Sequence, residues 1–465
     1  MHIYFIRPLL RLSSFALSCL LSCMLCSCAS YQPLPLSHDI QLNKALVDLQ
    51  IDTKTLHFPE LASHPLDLQG EWDITNLATL AVLNNPELKL ARDEAGIIHA
   101  QAFAAGLLPD PQINLSQDFS SSSSASVSKA FSYGLSFDIG ALWTHSAMLS
   151  AANAEASKTD LNVLWQEWQV IAQARLLYVK AIQNKKLFKL LNQNTQLFSE
   201  RLTLSELALD KKLLANDVVL GTLTQLQDLQ KQTHEIERQL NQTQHELHAL
   251  LGIDANLELR LSDDFSLPAI DKMQVQTALL NIAARRADIM ALEAAYQAQD
   301  ARYRAAIQAQ FPALNIGLTH AGDASGVYSN GVGLTLSLPL LNRNRGNIAI
   351  ERATRQKVYD DYQQRLRIAR SDIGKILSDQ SINLLQLREV EVGLSKLTLS
   401  AQQAAIAYQH KNIDAFTYMN VRVSLLTKQV EEINLQQIMM EQRVALQTLI
   451  GGNLPVLTFT ESSIP

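Results

Sequence analysis

Cysteine is confined to the first 28 residues. Cys19, Cys23, Cys26 and Cys28 are the four in the chain, so everything beyond them must hold together without disulfides and offers no thiolate metal site. Aromatic residues are scarce, at 6%, and Ala, Leu and Gln take their place, a composition suited to long helices. Past residue 28 there is no apolar run of 18 residues, so there is no transmembrane-helix candidate. There is no H-E-x-x-H and no glycine-rich phosphate loop, and His145, His234, His245, His320 and His410 are scattered. We therefore expect no enzyme, no cofactor and no bound metal. A net charge of −6 and a pI near 6.0 give no support for nucleic-acid binding.

What is present begins with an address. Arg7 and Arg11 accompany an apolar run from Leu9 to Leu25, the layout of a secretory signal. It ends in Leu25-Cys26-Ser27-Cys28, a lipobox pattern in which the Cys28 thiol would take diacylglycerol. Residue 29 is Ala rather than Asp, which matches outer-membrane sorting. Residues 1–28 are thus expected to be a lipoprotein signal peptide. Residues 29–71, with Pro33, Pro35, Pro59 and Pro65 and little periodicity, are expected to form an extended arm.

The remainder says nearly the same thing twice. Gly134-Leu135-Ser136-Phe137-Asp138-Ile139 returns as Gly333-Leu334-Thr335-Leu336-Ser337-Leu338, and Leu250-Leu251-Gly252 returns as Leu449-Ile450-Gly451. Both offsets are 199 positions (134 to 333, 250 to 449). Pro109 matches Pro312 at an offset of 203 (109 to 312). Units this long are a duplicated half-protein rather than solenoid repeats. Repeat 1 is placed at 72–262, repeat 2 at 263–455 and a C-terminal tail at 456–465. Period-two alternation places strands near 112–119, 131–142, 313–320 and 330–339. The absence of Gly and Pro over 145–210, and apolar spacings of three, four and seven farther on, place long helices near 145–210, 217–251, 347–409 and 415–449. A 60-residue helix would be about 90 Å long.

In each strand pair one face is large and apolar and the other small and polar, as in a wall between lipid and water. Four strands cannot close around water, and open edges are not tolerated in lipid. Three copies would give a 12-stranded barrel. The expected fold is mainly α with a β-hairpin pair, internally duplicated as helix-strand-strand-long helix-long helix, its trimeric β-barrel continued by an α-helical barrel. Ser136, Asp138, Thr335 and Ser337 would line the barrel lumen, and Tyr133 and Trp143 would suit an interfacial belt.

Asn84-Asn85-Pro86-Glu87-Leu88-Lys89-Leu90-Ala91-Arg92, Gly106-Leu107-Leu108-Pro109, Phe311-Pro312-Ala313-Leu314 and the paired Leu-Gly and Ile-Gly helix ends resemble the TolC-like outer-membrane efflux family over roughly residues 72–455. The stretch from Leu338 through Asn342-Arg343-Asn344-Arg345 to Ile348 is similar to the cobalt–zinc–cadmium efflux branch. The resemblance implies a homotrimer in outer-membrane lipid. It also implies a periplasmic adaptor (membrane fusion) protein and an inner-membrane pump of the resistance–nodulation–division type. The function implied is a passive exit duct for metal ions or small toxic compounds. A type I protein secretion duct and an envelope-tethering coiled-coil lipoprotein are the alternatives, and a tether has no use for matched amphipathic hairpins. Adaptor contact would fall where the long helices turn, at Lys212, Asn216, Asp217, Lys411, Asn412 and Asp414. Family turns usually carry a glycine where this chain has Lys212 and Lys411, so Asn216 or Asn412 is expected to take the left-handed position. Family members close this tip with aspartates. Here Asp217 and Asp414 are candidates, though each reads more readily as a solvated turn residue or helix cap.

Overall fold

The computed structural model describes residues 31–38, 42–52, 54, 56–119, 129–265, 267 and 270–452. The leader with Cys28, the serine-rich stretch at 120–124 and the 456–465 tail lie outside them. The chain divides into a unit ending at Leu42 and a unit from Asn43 onward. The first has neither helix nor strand over 31–38 and is exposed there. Every helix and strand of the described residues belongs to the second.

From Asn43 the chain is not the featureless arm expected. A 3-10 turn at Leu46–Asp48 and a short helix α1 (Pro59–Ala62) carry Leu49, Phe58 and Leu61 into the core. Phe58 stacks on Trp168 at 5.6 Å. Three apolar anchors without a period leave no pattern to read, yet each buries enough surface to hold a segment down.

Helix α2 (Ile74–Asn84) starts at Asp73, whose carboxylate accepts from the Thr75 and Asn76 amides. Helix α3 (Pro86–Gly106) starts at Asn85, which caps the Leu88 amide while Pro86 occupies the first turn at no hydrogen-bond cost. Strands β1 (Gln112–Asp118) and β2 (Ala130–Asp138) follow, then α4 (Gly140–Asp210) and α5 (Asn216–Leu251). Repeat 2 supplies α6 (Lys272–Leu280), α7 (Ile282–Arg285), α8 (Ala287–Gln308), β3 (Ala313–Gly322), β4 (Tyr328–Ser337), α9 (Arg345–Gln409) and α10 (Ala415–Leu449). At 71 residues, α4 is about 107 Å long. The second strand stops at Asp138 rather than at 142. The Asp138 carboxylate accepts from the Ala141 amide at 3.2 Å and turns the chain into α4.

The four strands form one antiparallel sheet in the order β1-β2-β3-β4. The register equates the repeats: Leu115 opposes Tyr133 as Leu318 opposes Val332, which are their partners 203 and 199 positions on. The repeats join through β2 and β3, where Leu135 opposes Leu318. Among the described residues, the outer edges of β1 and β4 are unpaired.

The main core gathers Trp72, Leu77, Leu80, Ile171, Tyr178 and Leu251. Tyr178 donates its hydroxyl to the Ser262 carbonyl at 2.6 Å, and burial pushes its phenol above the usual range. Farther along the helices, Leu191 and Phe198 of α4, Leu226 and Ile236 of α5, and Met419 and Leu426 of α10 form a second core. The 3.6-residue stripe of each helix makes this seam. Both repeats close on a glycine in the left-handed region, Gly252 and Gly451, each with φ +63°. A Cβ on Gly451 would stand 2.5 Å from the Arg285 carbonyl oxygen. Gly451→Ala is expected to cost at least about 2 kcal/mol from backbone conformation and this clash. Gly393→Ala, in open space on α9, should be neutral or stabilising by up to about 1 kcal/mol. Urea unfolding of the two variants checks the contrast.

Candidate functional site: a two-faced sheet and two helix turns

The antiparallel register sorts every strand residue onto a face. Ser136 lies between Gln112 and Gly317, and Asp138 opposes Asn315, which opposes Thr335. With Ser337 two residues along β4, these make one face small and polar throughout. The other carries Ile113, Leu135, Leu318 and Val332 in one row and Phe137, Ile316 and Leu334 in the next. This apolar face is exposed, with Ile113, Leu115, Leu135, Leu318, Val332 and Leu334 all open in the single chain.

Aromatic groups bracket the apolar face. At the end far from the helices, His320 lies between the parallel rings of Tyr133 and Tyr328, at 6.3 and 6.2 Å. Phe131 adjoins Tyr133 at 5.0 Å, and the His320 Nδ1 meets the Asn330 side-chain oxygen at 2.7 Å. At the helix end, Trp143 meets Phe311 edge-on at 6.2 Å. Asp138 is half-buried and occupied as the α4 junction acceptor, whereas Thr335 and Ser337 are exposed.

The opposite ends of the long helices hold the turns. Lys212 and Lys411 themselves occupy the left-handed region, with φ 57° and 60°, so neither Asn216 nor Asn412 takes that role. The hydrogen bonds around them are identical in the two repeats. The Leu213 amide donates to the Ala208 carbonyl, and the Asn412 amide to the Ala407 carbonyl, each at 2.8 Å. This six-to-one bond closes a helix end, and it fixes the lysines in a conformation costing about 1–2 kcal/mol for a side-chain-bearing residue. Asn216 begins α5, and Asp217 accepts from the next amide, Val218. Asp414 caps α10 by accepting from the Thr417 amide at 2.7 Å. Hydrogen bonds from Thr417 hold the Asp414 carboxyl below its usual range, so it stays charged.

Two clusters had no trace in the sequence pattern. Near the turns, the Arg201 guanidinium of α4 lies 4.9 Å from the Tyr408 ring of α9 and 5.6 Å from the Tyr418 ring of α10. The two tyrosines stack at 5.1 Å. The contact ties repeat 1 to repeat 2 across more than 200 positions. In the main core, Glu167 is 1% exposed and binds Arg92 at 2.8 Å and His57 at 3.0 Å. The hydrogen bond that the His57 ring donates to the Glu167 carboxylate raises the His57 pKa above its ordinary value. Among the described residues no cluster of three or more His, Cys, Asp or Glu side chains could hold a metal.

The family model of the outer membrane efflux protein matches residues 278–452. The cation efflux system protein CusC of Escherichia coli strain K12 is 26% identical over 179 residues, 36% of this chain and 39% of CusC. The probable outer membrane lipoprotein SilC of Salmonella typhimurium is 25% identical over 178 residues, with the same shares covered. The match thus spans about two-fifths of the length of these curated relatives. The crystal structure of CusC aligns over 90% of this chain and 99% of its own, at 18% identity and a TM-score of 0.69. The matched stretch in repeat 2 and the shared architecture across both repeats lead to one conclusion: over residues 278–452 the chain is similar to the outer membrane efflux protein family, and as a whole it has the fold of the TolC-like outer-membrane channels.

Proposed function

We propose that three copies form an outer-membrane duct, the exit component of a tripartite efflux system. The observation that carries this reading is the sheet, whose exposed apolar face is bracketed by aromatic groups and whose two edges are open. Lipid accepts a sheet only when it is closed. Twelve strands lie in the range of outer-membrane barrels. The polar face with Ser136, Asp138, Thr335 and Ser337 then lines the lumen, and Tyr133 and Trp143 mark opposite membrane interfaces.

Repeat symmetry says which surfaces meet. Within one chain, Glu155 of α4 pairs with Arg302 of α8 at 3.1 Å. One turn nearer the sheet, Ala151 and Ala306 are buried. Their counterparts, 199 positions after Ala151 and 203 before Ala306, are Ile350 and Phe103, 63% and 69% exposed. Large apolar side chains stand open where their repeat-mates are covered. The next protomer covers them, with α9 of one chain against α3 of its neighbour.

The duct catalyses nothing; it supplies a passage. The turns at Lys212, Asn216, Asp217, Lys411, Asn412 and Asp414 form the periplasmic tip and meet an adaptor, which couples the duct to an inner-membrane pump of the resistance–nodulation–division type. The Arg201–Tyr408–Tyr418 contact holds the two helical hairpins together beside that tip. Cys28 carries the lipid anchor. The relationship to a cation efflux protein favours metal ions or small toxic compounds as cargo. The purified protein should run as a trimer and conduct ions in planar bilayers, and a deletion strain should become sensitive to divalent or monovalent metals. A non-conducting monomer would remove the duct reading. Unchanged metal tolerance with heightened drug sensitivity would move the cargo to hydrophobic compounds.

A further inference from the structure

The Asn342-Arg343-Asn344-Arg345 segment leads from the sheet into α9. The junction there is made by Asn344, which adopts φ 54° and donates its side-chain amide to the Ala306 carbonyl at 2.8 Å. Arg345 is left to line a groove of about 840 Å³ between α8 and α9, together with Arg352, Arg355, Tyr303 and Gln310. Arg355 binds Asp300 at 2.8 Å and lies 4.7 Å from the Tyr303 ring. Among the described residues, the side chains of Arg345 and Arg352 make neither an ion pair nor a hydrogen bond. Two uncompensated guanidinium groups therefore share one concave site with a third that is already neutralised.

The position of this groove identifies its ligand. Helix α4 has its neighbours within the chain: His145 meets the Gly106 carbonyl of α3, and Glu155 meets Arg302 of α8. A separate stripe, Trp143-Ser146-Ser150-Asn153, runs at spacings of three and four along one remaining face. Tryptophan at the helix end of an apolar sheet belongs at the membrane interface, so this stripe faces outward. Its counterpart 199 positions on is Asn342-Arg345-Ala349-Arg352. Serine and asparagine in repeat 1 are replaced by the two free arginines in repeat 2. The turn before them exposes Leu340 and Leu341, the latter 95% open. Arg345 opens the helix just below the sheet, at the depth of the headgroup layer, which extends roughly 5–8 Å beyond the hydrocarbon. Arg352 starts about 10 Å farther along and lines the same groove, since long helical side chains lean back toward the helix start.

We propose that this groove, one per protomer, binds the phosphate headgroup of an anionic phospholipid in the periplasmic leaflet of the outer membrane. Arg345 and Arg352 bind the phosphate oxygens in the forked geometry that guanidinium groups favour. Leu340 and Leu341 lie against the acyl chains. The proposal rests on the duct reading above, because only that reading puts this stripe in lipid.

The test uses purified, delipidated full-length protein in detergent. Native mass spectrometry follows titration with phosphatidylglycerol, phosphatidylcholine or inorganic phosphate, for wild type, Arg345→Gln, Arg352→Gln and the double variant. Wild type should bind phosphatidylglycerol at up to three molecules per trimer and prefer it over phosphatidylcholine. The double variant should bind about tenfold more weakly or worse, with each single variant in between. Equal phosphatidylglycerol binding by wild type and the double variant would overturn the proposal. So would inorganic phosphate displacing the lipid at equal concentration, which would mark a soluble-anion site. Conductance and trimer mass are read on the same samples. A conducting trimer without headgroup preference sinks this site alone, while loss of trimer and conductance in wild type sinks the duct reading.

Discussion

A chain carrying both Leu115→Cys and Leu334→Cys should run on a non-reducing gel as covalent dimers and trimers, and as monomers after reduction. Leu135 of β2 opposes Leu318 of β3 inside the chain. Moving 199 positions on from the first and 203 back from the second gives Leu334 on β4 and Leu115 on β1. If β4 of one protomer repeats toward β1 of the next what β2 does toward β3, these two residues stand opposite each other across the protomer boundary. Directly opposed residues of antiparallel strands have Cα atoms about 4.5–5.5 Å apart, a separation a disulfide can span. The native chain is well suited to the experiment, because no cysteine lies beyond Cys28. Each single cysteine variant should stay monomeric on the same gel. A double variant that stays monomeric under oxidising conditions would mean that β4 and β1 do not meet, and the closed barrel would go with it.

Arg92→Met should be strongly destabilising, by up to about 3–5 kcal/mol. It removes the cation 2.8 Å from Glu167 and leaves a carboxylate that is 1% exposed facing only a histidine. Removing both charges, with Arg92→Met and Glu167→Leu together, should recover much of the loss, since the penalty is that of an unpaired buried charge. A double variant as unstable as the single one would show that Arg92 acts through packing instead. His57 adds a pH dependence of known sign. Its pKa is raised in the folded chain, chiefly by the hydrogen bond with Glu167 and against the opposing effects of burial and the Arg92 charge, with Asp160 adding a smaller attraction. The stabilisation is therefore complete below the ordinary histidine value near 6.5 and is lost as pH rises through the raised value. Urea midpoints of wild type should fall across that window, and those of His57→Gln should fall less.

The duplication is legible because it is written in local order: alternation, helix caps and glycine-ended helices recur at fixed offsets, and the same offsets reappear in the strand register. The turns are legible in place but not in detail. Nothing in the letters at Lys212 or Lys411 signals a left-handed residue, because the usual marker is glycine and the closing hydrogen bonds are backbone-to-backbone. The packing of residues 43–71 is hidden because Leu49, Phe58 and Leu61 share no period. Arg201 with Tyr408 and Tyr418, and Glu167 with Arg92 and His57, join residues far apart in the chain, where only tertiary structure brings unlike charges and rings together. Asp138 reads in the sequence as a free polar side chain on the sheet, while its bond to the Ala141 amide decides where the strand ends.

The unpaired borders of the sheet also bear on assembly number. The β4-to-β1 seam proposed above would be head-to-tail, joining two different surfaces rather than one surface to itself. Such a contact closes into a ring only when the rotation per subunit divides a full turn, and otherwise winds into an open filament. Strand tilt sets that rotation, so substitutions that alter tilt without weakening the seam should produce polymers instead of unfolded chains.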